Sequence, residues 1–379
     1  MKKTISFALV LSIILLFTGC NKANNSSSNP VTNPTINQTV APITLDTPFL
    51  SVGLPAETTS ITADDGTLIC STSTPYMTLT MDGQVTADLI IHDFMDKINT
   101  ARVSAESIEE SAKAAYAQQN TSTWNAYHFT IDCTPTRMDP NALSIYGIVN
   151  GYSGGSHPVY SCISTNYNLI TGDPLTLGSI LIHEESIAKL RDLLIEELDK
   201  QKEEMQLRSG YENDINSRFE KDVSYDDAWY FTEYGLCFYF PPYEIAPYSS
   251  GIITAEIPYS SLVGIIDDAF FPPEYIANGN AKVIPYSDDL ANSYQETSEL
   301  ILDREGKKYF IEADSCIQNI RIVLQSSDDA HQIIRTICYR AYCLNPGDAV
   351  MVQLPEKATG SYFVEYEQNG TTVTLPFSQ

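Results

Sequence analysis

Apolar residues recur along this chain at two periods, and the two periods separate its strands from its helices. From Leu236 to Phe240 the period is two. Leu236, Phe238 and Phe240 share one face and Cys237 and Tyr239 the other, which predicts a strand. Pro241 and Pro242 end it, because proline cannot donate to a ladder and restricts the residue before it. A ring-rich connection, Tyr243 to Tyr248, leads past Gly251 to a predicted return strand, Ile252 to Ile257. Upstream, short strands are expected between Ser51 and Leu79. His128–Met138, Ala142–Asn150 and Val159–Ile170 predict an antiparallel meander. The helical period covers Val85 to about Gln119, an alanine-rich run with Thr100 as a candidate break. It returns from Glu184 to Met205, where Ile187, Leu190, Leu194 and Leu198 form one stripe. Glu185 with Lys189 and Glu196 with Lys200 then fall at the favourable i,i+4 spacing on the opposite side.

Beyond residue 280 the pattern is entirely of strands: Tyr309–Ile311, Ile320–Leu324, Ile333–Tyr342, Ala349–Leu354, Tyr362–Tyr366 and Thr371–Leu375. Asn345-Pro346-Gly347-Asp348 makes a turn, and Asn369-Gly370 fits a two-residue hairpin. The expected fold is therefore α+β, antiparallel sheets with packed helices, followed by a small all-β, sandwich-like C-terminal domain. The folded parts are expected at 47–170, 171–278 and 281–379.

The N-terminus sets the expected compartment. Lys2 and Lys3 precede a largely apolar run, Ile5 to Phe17, and Phe17-Thr18-Gly19-Cys20 resembles a lipoprotein cleavage site, with Phe17 in place of the usual leucine. The apolar run is short of the ~20 residues that cross a bilayer, so residues 1–19 are expected to be a signal peptide. Cys20 would then carry the lipid, and the Asn-, Ser-, Thr- and Pro-rich stretch to residue 46 would be a disordered tether. The folded part would stand at the extracytoplasmic face of the cell membrane, attached through lipid only.

Formal charge is −26. Nucleic acid is excluded as a partner, since phosphate neutralisation needs a basic surface. An acidic surface favours solubility, or a basic partner attracted over distance. Of eight cysteines, seven remain besides Cys20, so at least one thiol is unpaired within the chain. Most are expected buried and reduced, with Cys338 and Cys343 on opposite faces of one strand.

Three patterns resemble chemistry without meeting its requirements. Gly151-Tyr152-Ser153-Gly154-Gly155 fits G-x-S-x-G, but a nucleophile elbow needs a strand-to-helix turn and a distant histidine. Here two strands flank it, and tight-turn geometry accounts for Gly154, Gly155 and His157. Ser186-Ile187-Ala188-Lys189 fits S-x-x-K with no Lys-Thr-Gly in the chain; an exposed serine beside a solvated lysine is the simpler reading. The five histidines form no paired motif, and the Asp pairs (Asp226-Asp227, Asp267-Asp268, Asp288-Asp289, Asp328-Asp329) lack the spacing of a calcium loop. No metal, cofactor or catalytic residue is expected, and the chain is read as no enzyme. Trp124 and Trp229 are read as packing residues.

Two blocks of sequence are similar to a known family. Tyr239 to Gly251 with Glu256-Ile257-Pro258-Tyr259, and Leu143-Ser144-Ile145 with Tyr152-Ser153-Gly154-Gly155-Ser156-His157-Pro158, resemble RsiV-type extracellular domains. Those are ectodomains of lysozyme-sensing anti-sigma factors, also attached to some peptidoglycan deacetylases. The second block continues through Asn166 to Asn168, Thr171-Gly172 and Leu175-Thr176-Leu177, with Ser156 in place of the family's alanine. The resemblance spans roughly residues 65 to 270. It implies a binding module for lysozyme or a similar basic cell-wall hydrolase, acting as decoy, inhibitor or sensing accessory. Tyr243, Glu244 and Tyr248 would supply aromatic anchors and a charged contact. Signalling relatives carry a cytoplasmic sigma-binding segment and a membrane helix; here a lipobox and tether stand in that place. The alternatives are a module that binds peptidoglycan or another cell-wall polymer, and a hydrolase using Ser153 or Ser186.

Overall fold

The computed structural model describes residues 49–118, 124–219, 228–273, 278–327, 332–358 and 360–377. The expected signal peptide, Cys20 and tether lie outside these residues, as do Asp226-Asp227, Asp328-Asp329 and His331.

The first half forms β1 (Ser51–Gly53), β2 (Ala56–Thr62), β3 (Leu68–Pro75), β4 (Thr78–Thr80), α1 (Gln84–Gln118), β5 (Tyr127–Met138), β6 (Ala142–Tyr152) and β7 (Val159–Asn168). α1 runs unbroken through Thr100, whose hydroxyl donates to the Asp96 carbonyl at 2.8 Å one turn back. A threonine that satisfies itself on its own helix need not end it. A five-stranded sheet takes the order β2-β3-β5-β6-β7, antiparallel except where β3 meets β5. α1 lays Ile90, Phe94 and Ile98, all fully buried, over Phe129, Ile131, Leu143 and Ile145.

The middle of the chain adds α2 (Leu177–Ile180), α3 (Ser186–Lys200), α4 (Tyr211–Phe219), β8 (Trp229–Phe231), β9 (Gly235–Phe240), β10 (Ile253–Pro258) and α5 (Tyr259–Leu262). α3 ends at Lys200, earlier than its pattern suggests, and turns follow to Gln206. Leu190, Leu194 and Leu198 are fully buried and pack with Phe238, Phe240, Ile253 and Ile257 in one core. β9 is covered on both faces: Leu236, Phe238 and Phe240 point to that core, while Cys237 and Tyr239 pack with Tyr146 of β6, Cys162 of β7 and Tyr230. Two sheets are thus stacked between α1 on one side and α3 with α4 on the other. A strand apolar in both phases can only be covered on both faces.

The last part forms β11 (Ala281–Pro285), α6 (Asp288–Ala291), β12 (Thr297–Ile301), β13 (Lys307–Ala313), β14 (Ile317–Ser327), β15 (Ile333–Leu344), β16 (Ala349–Leu354), β17 (Gly360–Gln368) and β18 (Thr371–Pro376). A four-stranded sheet, β11-β13-β16-β12, faces a six-stranded one, β18-β17-β14-β15-β1-β4, across a shared core that holds Leu300, Ile311, Ile320, Tyr339 and Val352. The second sheet borrows its last two strands from the start of the chain, with Val52 opposite Arg340. Asn369 and Gly370, with φ of 50° and 71°, form the two-residue hairpin between β17 and β18.

Charge seals the seam between the regions. Glu233, in the turn before β9, accepts from Arg321 at 3.0 Å and from Arg340 at 2.5 Å. Deep burial costs Arg340 its hydration, and only a close carboxylate makes that tolerable. Cys316 and Cys343 form a disulfide, so this pair departs from the expectation of reduced thiols. Among the described residues Cys70, Cys133, Cys162, Cys237 and Cys338 are free, three of them buried. Cys338 packs in the sandwich core and Cys343 beside α1, the opposite faces expected of them.

Candidate functional site

The connection between β9 and β10 leaves the core within three residues. Pro241 and Pro242 close the strand, and Tyr243 then takes a φ of 70°. Its amide donates to the Ala246 carbonyl at 2.9 Å, and the Glu244 amide donates to that of Pro241 at 3.1 Å. The left-handed region costs a side-chain-bearing residue roughly 1–2 kcal/mol. A bulky ring held there is an outlier, maintained because the surrounding turn over-determines it. Ile245 and Ala246 dip back into the α3–α4 core, and the Ile245 carbonyl accepts from the Arg208 amide at 2.9 Å. Tyr243 points the other way and is 60% exposed.

The β6–β7 hairpin comes to meet this loop. Gly154 and Gly155 carry φ of 91° and 105°. A Cβ on Gly154 would stand 2.6 Å from the Tyr127 hydroxyl, so both the dihedral and the space demand glycine there. The hairpin presents His157, whose ring centroid lies 4.3 Å from that of Tyr248. The Pro158 carbonyl accepts twice, from His157 Nδ1 at 2.9 Å and from the Tyr248 hydroxyl at 3.1 Å. Because a carbonyl only accepts, the His157 proton sits on Nδ1. Tyr160 lies 6.2 Å from Tyr248, and Tyr243 5.6 Å from it. Burial, and then the adjoining Tyr248, push the Tyr160 phenol up to about 12. Burial and the neighbouring Tyr243 likewise raise that of Tyr248. The Tyr160 and Tyr248 phenols are therefore uncharged near neutrality.

Glu244 is placed differently from its expected role. It is drawn against α4, where Arg218 Nη1 stands 2.6 Å from its carboxylate. Only 24% of its side chain is exposed. Burial raises its pKa, and Arg218 works against that rise. Glu244 fixes the loop to the helix, while Tyr243 and His157 are exposed on either side of the half-buried Tyr248. Local sequence marks His157 as a turn residue only. Its contact with Tyr248, from a distant part of the chain, is not visible in local pattern.

The remaining sequence candidates lie apart. Ser153 is exposed in the hairpin between β6 and β7. Ser186 is buried, not exposed as expected, because it opens α3 against the core, whereas Lys189 is solvated. Tyr259 donates its hydroxyl to the Thr232 carbonyl at 3.0 Å and meets Arg137 Nη1 at 2.7 Å, so it is a clamp rather than a surface. Trp229 is fully buried, and Trp124 stacks on Tyr127 at 5.1 Å. No group of three or more potential metal ligands occurs among the described residues.

Residues 180–260, which hold α3, α4, the β8–β10 sheet and the tyrosine loop, match a family described as "Protein of unknown function (DUF3298)". Two solved structures are similar to the chain. A member of that family from Bacteroides fragilis is 16% identical, with a TM-score of 0.42, over 58% of this chain and 94% of that one. A DUF3298 family protein from Pseudomonas aeruginosa PAO1 is also 16% identical, with a TM-score of 0.38, over 59% and 97%. No curated protein matches the chain. The matched residues include Tyr243, Glu244 and Tyr248; His157 and Tyr160 lie outside them.

Proposed function

We propose that this chain is a binding module held at the outer face of the cell membrane by a lipid on Cys20, and that it recognises a protein partner with the rings around Tyr243. One observation carries the reading: Tyr243 is kept in a strained backbone conformation with its ring in solvent. Strain that holds an apolar ring outward adds nothing to the core, and it pre-organises a contact. Tyr248 and His157 give that ring a rigid backing, so little side-chain entropy is lost when it is covered. With a formal charge of −26 the chain attracts a basic partner. The resemblance to RsiV-type ectodomains supports lysozyme or a comparable basic wall hydrolase as that partner.

The test is titration of the protein with lysozyme and, separately, with purified wall sacculi. Saturable binding to lysozyme that weakens with salt, and that falls at least about tenfold in Tyr243→Ala/Tyr248→Ala, supports the reading. Absence of binding at low salt removes lysozyme as the partner. Sacculus binding that excess lysozyme leaves intact would move the assignment to the polymer. Labelled fatty acid incorporated by wild type and lost in Cys20→Ala checks the anchor.

A further inference from the structure

A second surface, independent of the tyrosine pair, is built along the free edge of β7. A cleft of about 410 Å³ opens there between the strand and α1. Ser161, Cys162, Ile163 and Ser164, four residues in succession, form one wall. Neighbouring side chains in a strand point to opposite faces, so four in a row can line one cleft only along the strand's edge. β7 is the terminal strand of its sheet.

The phase of that edge follows from the chain's own contacts. The Asn166 carbonyl accepts from the Leu175 amide at 2.7 Å, and the Asn168 amide donates to the Asp173 carbonyl at 3.0 Å. The even-numbered backbone groups therefore face away from β6, and the pairing with β6 runs without a shift back to Val159. Tyr160 and Cys162 share that phase. Their outward amides and carbonyls have no backbone partner among the described residues. The segment after Asn168 already bridges the edge in antiparallel sense, Pro174 against Tyr167. The chain thus fills the far end of this edge with a strand-like bridge and caps its near end with the Tyr248 hydroxyl on the Pro158 carbonyl, leaving the outward backbone of Tyr160 and Cys162 between them.

The opposite wall is one stripe of α1. Asp93, Asp96, Lys97, Thr100 and Ser104 recur at spacings of three and four and so share a face. From Asp93 to Ser104 the helix rises about 16 Å, room for about five extended residues. Asp93 is engaged by the Tyr167 hydroxyl at 2.8 Å and by Lys97 at 3.5 Å. Asp96 is largely exposed, with His92 at 3.4 Å. The floor is apolar, from Ala101, Val149 and Ile163.

We propose that this groove binds an extended segment of a partner protein, added as a strand to β7, with a lysine or arginine directed at Asp96 and small or branched apolar residues on the floor. Main-chain pairing supplies affinity in such a mode, and alternate side chains supply selectivity.

The test pans a phage-displayed random heptapeptide library on the full chain and measures the enriched peptides, once synthesised, by fluorescence polarisation. The expected outcome is a consensus carrying lysine or arginine, with binding lowered at least about tenfold in Asp96→Lys. Ala101→Trp, which fills the groove, abolishes it. N-methylation of the peptide at alternate amides abolishes binding and methylation at the intervening amides does not, a periodicity that simple apolar docking cannot give. Tyr243→Ala leaves these affinities unchanged, which separates the groove from the tyrosine site. Failure to enrich any peptide, an N-methyl scan without alternation, or full binding by a folded Ala101→Trp variant overturns the proposal; if that variant does not fold, the N-methyl scan decides alone.

Discussion

β9 and the loop that follows it are neighbours in sequence and both carry aromatic rings, yet those rings meet opposite fates. Phe238 and Phe240 are fully buried, and Tyr239 is 4% exposed; Tyr243, three residues past β9, is 60% exposed. Residue type does not separate Tyr239 from Tyr243. Backbone does: two prolines end the ladder, and the positive φ at Tyr243 swings its ring away from the core that Ile245 re-enters. Whether an aromatic residue is buried or left in solvent is decided here by the turn that carries it.

The contrast can be broken by substitution. Phe238→Ala should cost about 3–5 kcal/mol in urea unfolding, because it opens a cavity where α3 meets β9. A loss below about 1 kcal/mol would mean that the two-sided burial of β9 is wrong. Arg218→Met should come next, at about 1–3 kcal/mol at neutral pH, since it strands the Glu244 carboxylate. Its pH dependence has a definite sign. Burial raises the Glu244 pKa above the ordinary 4.5, so the stability linked to its protonated form is fully present below that value. That stability is lost as pH rises through the elevated folded value. The Arg218→Met penalty should therefore be smallest near pH 4 and grow toward pH 7; a flat profile would place Glu244 in solvent.

Smaller effects sharpen the same contrast. Tyr248→Phe loses the bond to the Pro158 carbonyl and should cost about 0.5–1.5 kcal/mol. Tyr243→Gly should be neutral or stabilising by up to about 1 kcal/mol, because glycine is at ease at that φ. The same variant should lose partner binding. Destabilisation by Tyr243→Gly would show that its ring belongs to the fold, and the recognition argument would lose its basis.

Local pattern made much of this legible. The alternation in β9 gave both faces correctly, the leucine stripe gave the buried side of α3, and Asn369-Gly370 gave the last hairpin. These depend on interactions within a few residues. β11 and β12 escaped notice because each is short and half polar. Nothing near Ser51 or Thr78 announces that those strands complete the C-terminal sheet, because the partner for Val52 is Arg340. The candidate site divides in the same way. Tyr243 and Tyr248 stood out by composition, whereas the pull of Arg218 on Glu244 and the stacking of His157 on Tyr248 are meetings across sequence that no window contains.

The placement of β1 between β15 and β4 bears on how the molecule comes into being. A chain that emerges N-terminus first presents Val52 early and Arg340 near the end, so β1 and β4 cannot join the six-stranded sheet until almost the whole polypeptide is out. Until then Leu50, Val52 and Leu54 have no partner strand on the β15 side. Premature termination before β15 should therefore leave a sticky N-terminal ribbon as well as a missing tail, and a chaperone that shields early apolar strands would matter most before β15 has emerged where the chain folds.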